Sequence, residues 1–141
     1  MSKITPFLWF DAEPQQIVDY YLGIFKDGHA SHVNPMFATF ELHGQEFMAL
    51  KGGPMFKFNE AVSFFVKCAD QAEVDYFWNA LTTDGGAPGE CGWLKDRYGV
   101  SWQIIPTRMM ELMGGPAAGK VNAAMRQMTK IDIAGLEAAA S

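Results

Sequence analysis

The side chains able to carry chemistry in this sequence are few and scattered. Its three histidines are His29, His32 and His43. The first two fall near the start of a strand-like segment and the third in a turn, so each reads as a surface or structural imidazole rather than a metal ligand. Cys68 and Cys91 are far apart and form no CxxC pair, which makes both reduced structural thiols with no disulfide or metal site implied. Glu41 and Glu46 flank a hairpin turn, where solvent-exposed carboxylates are expected. No GxGxG follows a strand: Gly52-Gly53-Pro54 and Gly114-Gly115-Pro116 follow other patterns, and Gly119-Lys120 lacks the rest of a Walker loop. A nucleophile elbow and a Cys–His pairing are both missing, so covalent catalysis has no candidate. What remains is a set of aromatic and apolar residues at strand spacing, Phe7, Trp9, Phe65 and Met48, with Ser63 and Gln103 as sparse hydrogen-bonding groups.

The elements that must position these residues are legible. Ile4 to Phe10 (ITPFLWF) is a short apolar run that reads as a buried strand. Asp11 offers an N-cap oxygen, Pro14 suits a first helical turn, and Ile17, Tyr21 and Phe25 form one apolar stripe on a helix expected to end near Gly28. Met36–Leu42 and Glu46–Leu50 flank His43-Gly44 as a hairpin. Residues 52–60 break the pattern and read as a linker. Ala61–Cys68 (AVSFFVKC) is a second buried strand, and Asp70 with Glu73 three residues on is an N-capping pair for a helix to about Leu81. A loop, Thr82–Gly89, leads to a last hairpin, Gly92–Asp96 and Val100–Pro106, turning at Arg97-Tyr98-Gly99.

These elements repeat. Val18-Asp19-Tyr20-Tyr21 recurs as Val74-Asp75-Tyr76-Phe77, and the same shift carries Phe10 onto Val66 and Gln15 onto Gln71. A shift one residue shorter carries Gly44 onto Gly99, Phe47 onto Trp102, Met48 onto Gln103 and Leu50 onto Ile105. The expected fold is α+β: two βαβββ modules, residues 3–51 and 61–106, in a single domain, each with a helix over one face of a curved sheet. The other face packs against its twin or encloses a cavity. The tail, residues 107–141, is helical: Thr107 caps a short helix, Gly114-Gly115-Pro116 breaks it, Val121, Met125 and Met128 share one side of the next, and Asp132 caps the last. It is apolar enough to need its own sheet or a partner chain to pack on.

Composition narrows the classes. With 141 residues, 49% hydrophobic and 19% charged, the chain has enough apolar content for a packed core and too much to be disordered. Its formal net charge of −5, with no basic run, argues against a nucleic-acid partner. The apolar runs are strand-length, which argues against a membrane span. The N-terminus, Met1-Ser2-Lys3-Ile4, has no apolar leader and no small-residue cleavage site, so a cytoplasmic protein is expected.

Four separated segments, ITPFLWFDAEP, GQEFMALKGGPMFKF, CGWLKDRYGVSWQIIPT and KIDIAGLEA, resemble the PhnB-like proteins. That family is often labelled demethylubiquinone methyltransferase and belongs to the vicinal oxygen chelate superfamily, with glyoxalase I, extradiol dioxygenases and the bleomycin and fosfomycin resistance proteins. The resemblance implies paired βαβββ modules forming an open barrel around a pocket, usually in a homodimer and sometimes with modules exchanged between chains. It also implies a divalent metal held from the first and last strands of each module, with His usual on the first and Glu on the last. The alternation of side chains along a strand puts Thr5, Phe7, Trp9, Ala61, Ser63 and Phe65 on the pocket side, with Met48 and Gln103 at the last-strand ligand positions. Only Gln103 could ligate well, and neither first strand contains a histidine. The expectation is therefore no metal and no cofactor, with Phe7, Trp9, Met48, Ser63, Phe65 and Gln103 binding a small aromatic or apolar molecule; the alternative is that these residues are core. Trp93 and Trp102 read as packing residues. No catalytic residue is assigned. Two further readings stay open: an enzyme on a quinone-like or aromatic substrate, with Gln103 polarising a carbonyl, and a drug-sequestering protein using Phe37, Phe40, Trp93 and the acidic charge.

Overall fold

Each half of the chain begins with a strand whose partner is not its neighbour in sequence but the last strand of the same half. The computed structural model describes residues 3–141. It divides into two units, Met1–Lys57 and Phe58–Ser141, with the boundary inside the expected linker. Among the described residues, no helix is long and apolar enough to cross a membrane.

In the first unit, β1 (Phe7–Phe10) leads through α1 (Pro14–Ile24) to β2 (His29–Val33), β3 (Phe37–Leu42) and β4 (Gln45–Lys51). The sheet order is β1-β4-β3-β2, with β4 parallel to β1 and antiparallel to β3. The β3–β4 turn falls on His43-Gly44 as expected; both take positive φ, 47° and 80°, which glycine accepts freely and histidine only at a cost. The helix starts later than the sequence suggested. A residue before proline is forced to extended backbone, so Glu13 (φ −71°, ψ 136°) becomes the N-cap and Asp11 does not cap. Helix α1 also stops at Ile24, short of Gly28, because Phe25 is extended. Its buried face, Ile17, Val18, Tyr21 and Ile24, covers Phe10, Ala38, Phe40, Phe47 and Ala49. Tyr21 stacks on Phe40 at 5.9 Å, and Phe40 on Phe47 at 5.6 Å.

The second unit repeats the plan: β5 (Ser63–Cys68), α2 (Gln71–Thr82), β6 (Ala87–Pro88), β7 (Trp93–Lys95) and β8 (Ser101–Pro106), in the order β5-β8-β7-β6. Asp70 caps α2 as expected: its Oδ1 accepts from Glu73 N at 2.9 Å, while Glu73 Oε1 accepts from Ala69 N at 3.0 Å. Two boundaries differ from the sequence reading. Ala61 and Val62 precede the strand, with the Asn59 side chain accepting from Ala61 N at 2.9 Å. The expected loop holds the edge strand β6, which pairs Ala87 with Lys95 and Pro88 with Leu94; two residues carry no alternation, and proline is tolerated at a sheet edge. Burial, with Glu73 and Asp70 adding to it, pushes the Cys68 thiol up to about 12, so it stays an inert core thiol.

The tail packs on its own module. Helices α3 (Thr107–Met113), α4 (Ala118–Met125) and α5 (Ile133–Ala140) bury Met109, Val121, Ile131 and Leu136 with Ile105 of β8. Gln71 ties it down: its Nε2 donates to Ile131 O at 3.0 Å and its Oε1 accepts from Ile133 N at 2.8 Å. Pro106 occupies the N-cap of α3, so Thr107 is the first helical residue rather than the cap, and Asp132 sits at the N-cap of α5 without a side-chain capping bond.

The β7–β8 turn is built on a buried carboxylate. Asp96 is 1% exposed. Its Oδ1 accepts from Tyr98 N at 2.9 Å and Val100 N at 3.1 Å, and its Oδ2 from the Trp102 indole at 2.9 Å. Replacing it strands buried donors, so Asp96→Ala is expected to lower unfolding free energy by about 3 kcal/mol in urea denaturation; a loss below about 0.5 kcal/mol, the scale of an ordinary surface change, would show that the carboxylate does not hold the turn.

Candidate ligand-binding faces

Alternation along the strands decides which side chains share the face away from each helix. In the first unit, ladder partners form two rows across three strands. One row is Phe7, Met48 and Thr39; the next is Trp9, Leu50 and Phe37. Phe7 is 55% exposed. Trp9 is fixed: its indole donates to Gly53 O at 2.9 Å and meets Phe56 edge-on at 4.8 Å between centroids. Thr5 Oγ1 donates to Glu46 Oε1 at 2.8 Å. The sequence reading left Glu46 in solvent beside the turn; its place two residues from Met48, on the same face, was the available signal.

In the second unit the matching rows are Ser63, Ser101 and Lys95, then Phe65, Gln103 and Trp93. Gln103 Nε2 donates to Ser63 Oγ at 3.0 Å. Phe65 is 44% exposed, while Ser63, Gln103 and Trp93 are half-buried. Lys95 is engaged by Glu60, which holds the Glu60 carboxyl below the usual range. Trp102 packs on the helix side against Phe64, as expected. Trp93 does not pack with it. Its register beside Gln103 turns it to the other face, a placement that the odd-even count from Trp102 across the turn could not reveal.

Phe7, Trp9 and Met48 thus come together in the first unit, and Ser63, Phe65 and Gln103 in the second. Ladder register corrects the repeat in one respect. Met48 and Gln103 correspond, and their parallel partners are Phe7 and Phe65. The counterpart of Phe7 is therefore Phe65, two residues past the position given by the helix repeat. An even slip keeps every side chain on its face. It also aligns Thr5, just before β1, with Ser63 at the start of β5, so each unit has a hydroxyl there bonded to a last-strand carboxylate or amide.

This donor set does not fit a divalent metal centre of the imidazole–carboxylate kind. The paired first- and last-strand positions hold Phe7, Met48, Phe65 and Gln103, with one amide oxygen among them. Among the described residues no three His, Cys, Asp or Glu side chains gather closely enough to hold a cation. The strand-to-helix connections, residues 11–13 and 69–70, contain no glycine to cradle a nucleotide-like cofactor.

Comparison with known proteins places the chain. The family model for 3-demethylubiquinone-9 3-methyltransferase matches residues 2–105. The chain belongs to this family. A PhnB protein from Bacillus cereus, described as a putative 3-demethylubiquinone-9 3-methyltransferase, is 30% identical, with a TM-score of 0.65 over 74% of this chain and 99% of its own. Two structures share the fold alone. A glyoxalase/bleomycin resistance protein from Albidiferax ferrireducens is 14% identical, with a TM-score of 0.52 over 72% of this chain and 96% of its own. The fosfomycin resistance protein FosX from Mesorhizobium loti is 10% identical, with a TM-score of 0.53 over 72% and 89%. No curated protein matches the sequence. This PhnB-like chain therefore carries the vicinal oxygen chelate fold, as its motifs implied.

Gly52 sets the first face. A β-carbon there would fall inside the van der Waals radius of the Trp9 indole. Gly52→Ala is expected to displace that ring, costing about 1–3 kcal/mol in thermal or urea unfolding and shifting tryptophan emission; an unchanged spectrum would mean that the indole is not seated on this backbone.

Proposed function

We propose that this PhnB-like protein binds small aromatic or apolar molecules on the sheet face away from the helix in each module, through Phe7, Trp9 and Met48 in the first and Ser63, Phe65 and Gln103 in the second, without a metal ion. One observation carries the reading. On both sheets the face away from the helix keeps large aromatic side chains part-exposed, Phe7 at 55% and Phe65 at 44%, beside only a few hydrogen-bonding groups. A monomeric core would bury such rings, because each exposed ring forfeits its hydrophobic contribution. A planar ligand is held on such a surface by stacking, and the polar groups fix its orientation. The chemistry of these positions supports binding more directly than turnover, since no paired acid and base stand among them.

The second reading is an enzyme acting on a quinone-like substrate. The family description favours it, with Gln103 as the group that would polarise a carbonyl. Drug sequestration is a third role compatible with the fold; among its expected residues Phe40 is buried in the core, which leaves Phe37 and Trp93 to serve it.

Titration with the naphthoquinone menadione, followed by tryptophan fluorescence, tests the main reading. Saturable quenching is expected, weakened about tenfold in Phe65→Ala, where a stacked ring contributes on the order of 1–1.5 kcal/mol, and unchanged after dialysis against a chelator. Binding that disappears with the chelator would overturn the metal-free reading, and methyl transfer from S-adenosylmethionine to the hydroxyl oxygen of 2-hydroxy-1,4-naphthoquinone, with release of its proton and S-adenosylhomocysteine, would establish the second. We also read the protein as a cytoplasmic homodimer. Light scattering on purified protein is expected to return twice the 15.6 kDa chain mass, and a monomer would refute the dimer.

A further inference from the structure

We infer that Gln103, set between Phe65 and Trp93 and bonded to Ser63 in the next row, forms with it a subsite selective for a planar ring carrying a hydrogen-bond donor and an acceptor on adjacent atoms, as in a lactam or a hydroxyl beside a ring carbonyl. The inference rests on the small-molecule reading above and narrows its ligand. Phe65, Gln103 and Trp93 are ladder partners on three successive strands of one sheet. Neighbouring strands lie about 4.8 Å apart, so the two aromatic residues stand roughly 10 Å from one another with the amide between them. Ring centroids pair at roughly 4.5–7 Å, so walls at that spacing admit one planar ring. Side chains stand roughly perpendicular to a sheet, which brings the edge of that ring to the amide rather than its face.

Hydrogen-bond accounting then selects the ligand. With Gln103 Nε2 donating one of its two N–H groups to Ser63 Oγ at 3.0 Å, the pair still offers the Gln103 carbonyl as acceptor, and the second amide N–H and the Ser63 hydroxyl as donors. If the bond is reversed, Ser63 donates to the carbonyl, and the pair offers the amide N–H as donor and the hydroxyl oxygen as acceptor. Either way the pair keeps an unused acceptor with at least one unused donor on a neighbouring atom. A ligand with acceptors alone leaves the pair's acceptor unmatched, one with neither group leaves donors and acceptor unmatched, and an unmatched polar group in a desolvated contact is what discriminates most strongly. Ser101 adds to the patch. It is 1% exposed, its hydroxyl has no hydrogen-bond partner among the described residues, and it is the ladder partner of Ser63. When a ligand takes the Gln103 amide, Ser63 can turn to Ser101 and remain paired.

Three bicyclic probes of nearly equal size separate the possibilities in calorimetric titration of the full chain: 2-quinolone (donor and acceptor), N-methyl-2-quinolone (acceptor only) and naphthalene (neither). The wild-type protein is expected to bind 2-quinolone about tenfold more tightly than its N-methyl analogue, the discrimination that one well-placed polar contact gives. Gln103→Leu is expected to erase that ratio while naphthalene binding persists. Ser63→Ala, a smaller change on the same strand pair, is expected to reduce the ratio with no loss of unfolding cooperativity. Equal affinity for the two quinolones in the wild type, or an unchanged ratio in Gln103→Leu, overturns the donor–acceptor subsite but leaves small-molecule binding intact. Failure of all three probes overturns both.

Discussion

Everything distinctive about this chain depends on one constraint: the first strand of each module pairs in parallel with the last. Parallel pairing cannot be made by a tight turn, so a helix must cross over between them, and the last strand must slot inside the sheet rather than at its edge. That single requirement produces the order β1-β4-β3-β2 and its twin β5-β8-β7-β6. It also brings residues some forty positions apart into contact, as in Thr5 with Glu46 and Ser63 with Gln103. The helix takes one face of each sheet, and the other carries Phe7 and Met48 in the first unit and Phe65 and Gln103 in the second.

The two modules use this shared frame differently. In the first, the chain leaving β4 folds back so that Gly52 and Gly53 support the Trp9 indole and Phe56 meets its edge. In the second, the corresponding end of the sheet, at Ile105, is covered by the C-terminal helices, which Gln71 anchors to α2. Gln71 is the repeat mate of Gln15, whose side chain donates to Asp19 at i+4. A duplicated position has thus acquired a tertiary role in one copy, where there is a tail to hold, and kept a local one in the other.

The fold was largely readable from the residues because its signals are local or repeated. Ile17 and Tyr21 of the α1 stripe, the Asp70–Glu73 cap, the His43-Gly44 turn and the duplicated elements appear at the expected places. Errors fell where a local signal was absent or two signals competed. Two-residue β6 has no periodicity to detect. Asp11 is a good capping residue, but Pro14 dictates the backbone before it and moves the cap to Glu13. The candidate faces were half legible. Alternation placed Phe7, Trp9, Met48, Ser63, Phe65 and Gln103 on the correct sides. The partnerships were not, because Thr5 with Glu46 and Gln103 with Trp93 are set by ladder register, which spans long sequence separations and leaves no trace in spacing.

The difference in offset between the two modules has a consequence for how such a duplicated fold can diverge. A strand that slides by one residue exchanges its inner and outer residues wholesale and destroys the core, whereas a slide of two preserves the identity of both surfaces. Drift of a first strand against its last-strand partner is therefore quantised. A two-residue slide of a first strand, taken up in its connection to the helix, sets a new residue opposite the same last-strand partner, so what stands at that position can change without changing the face it occupies.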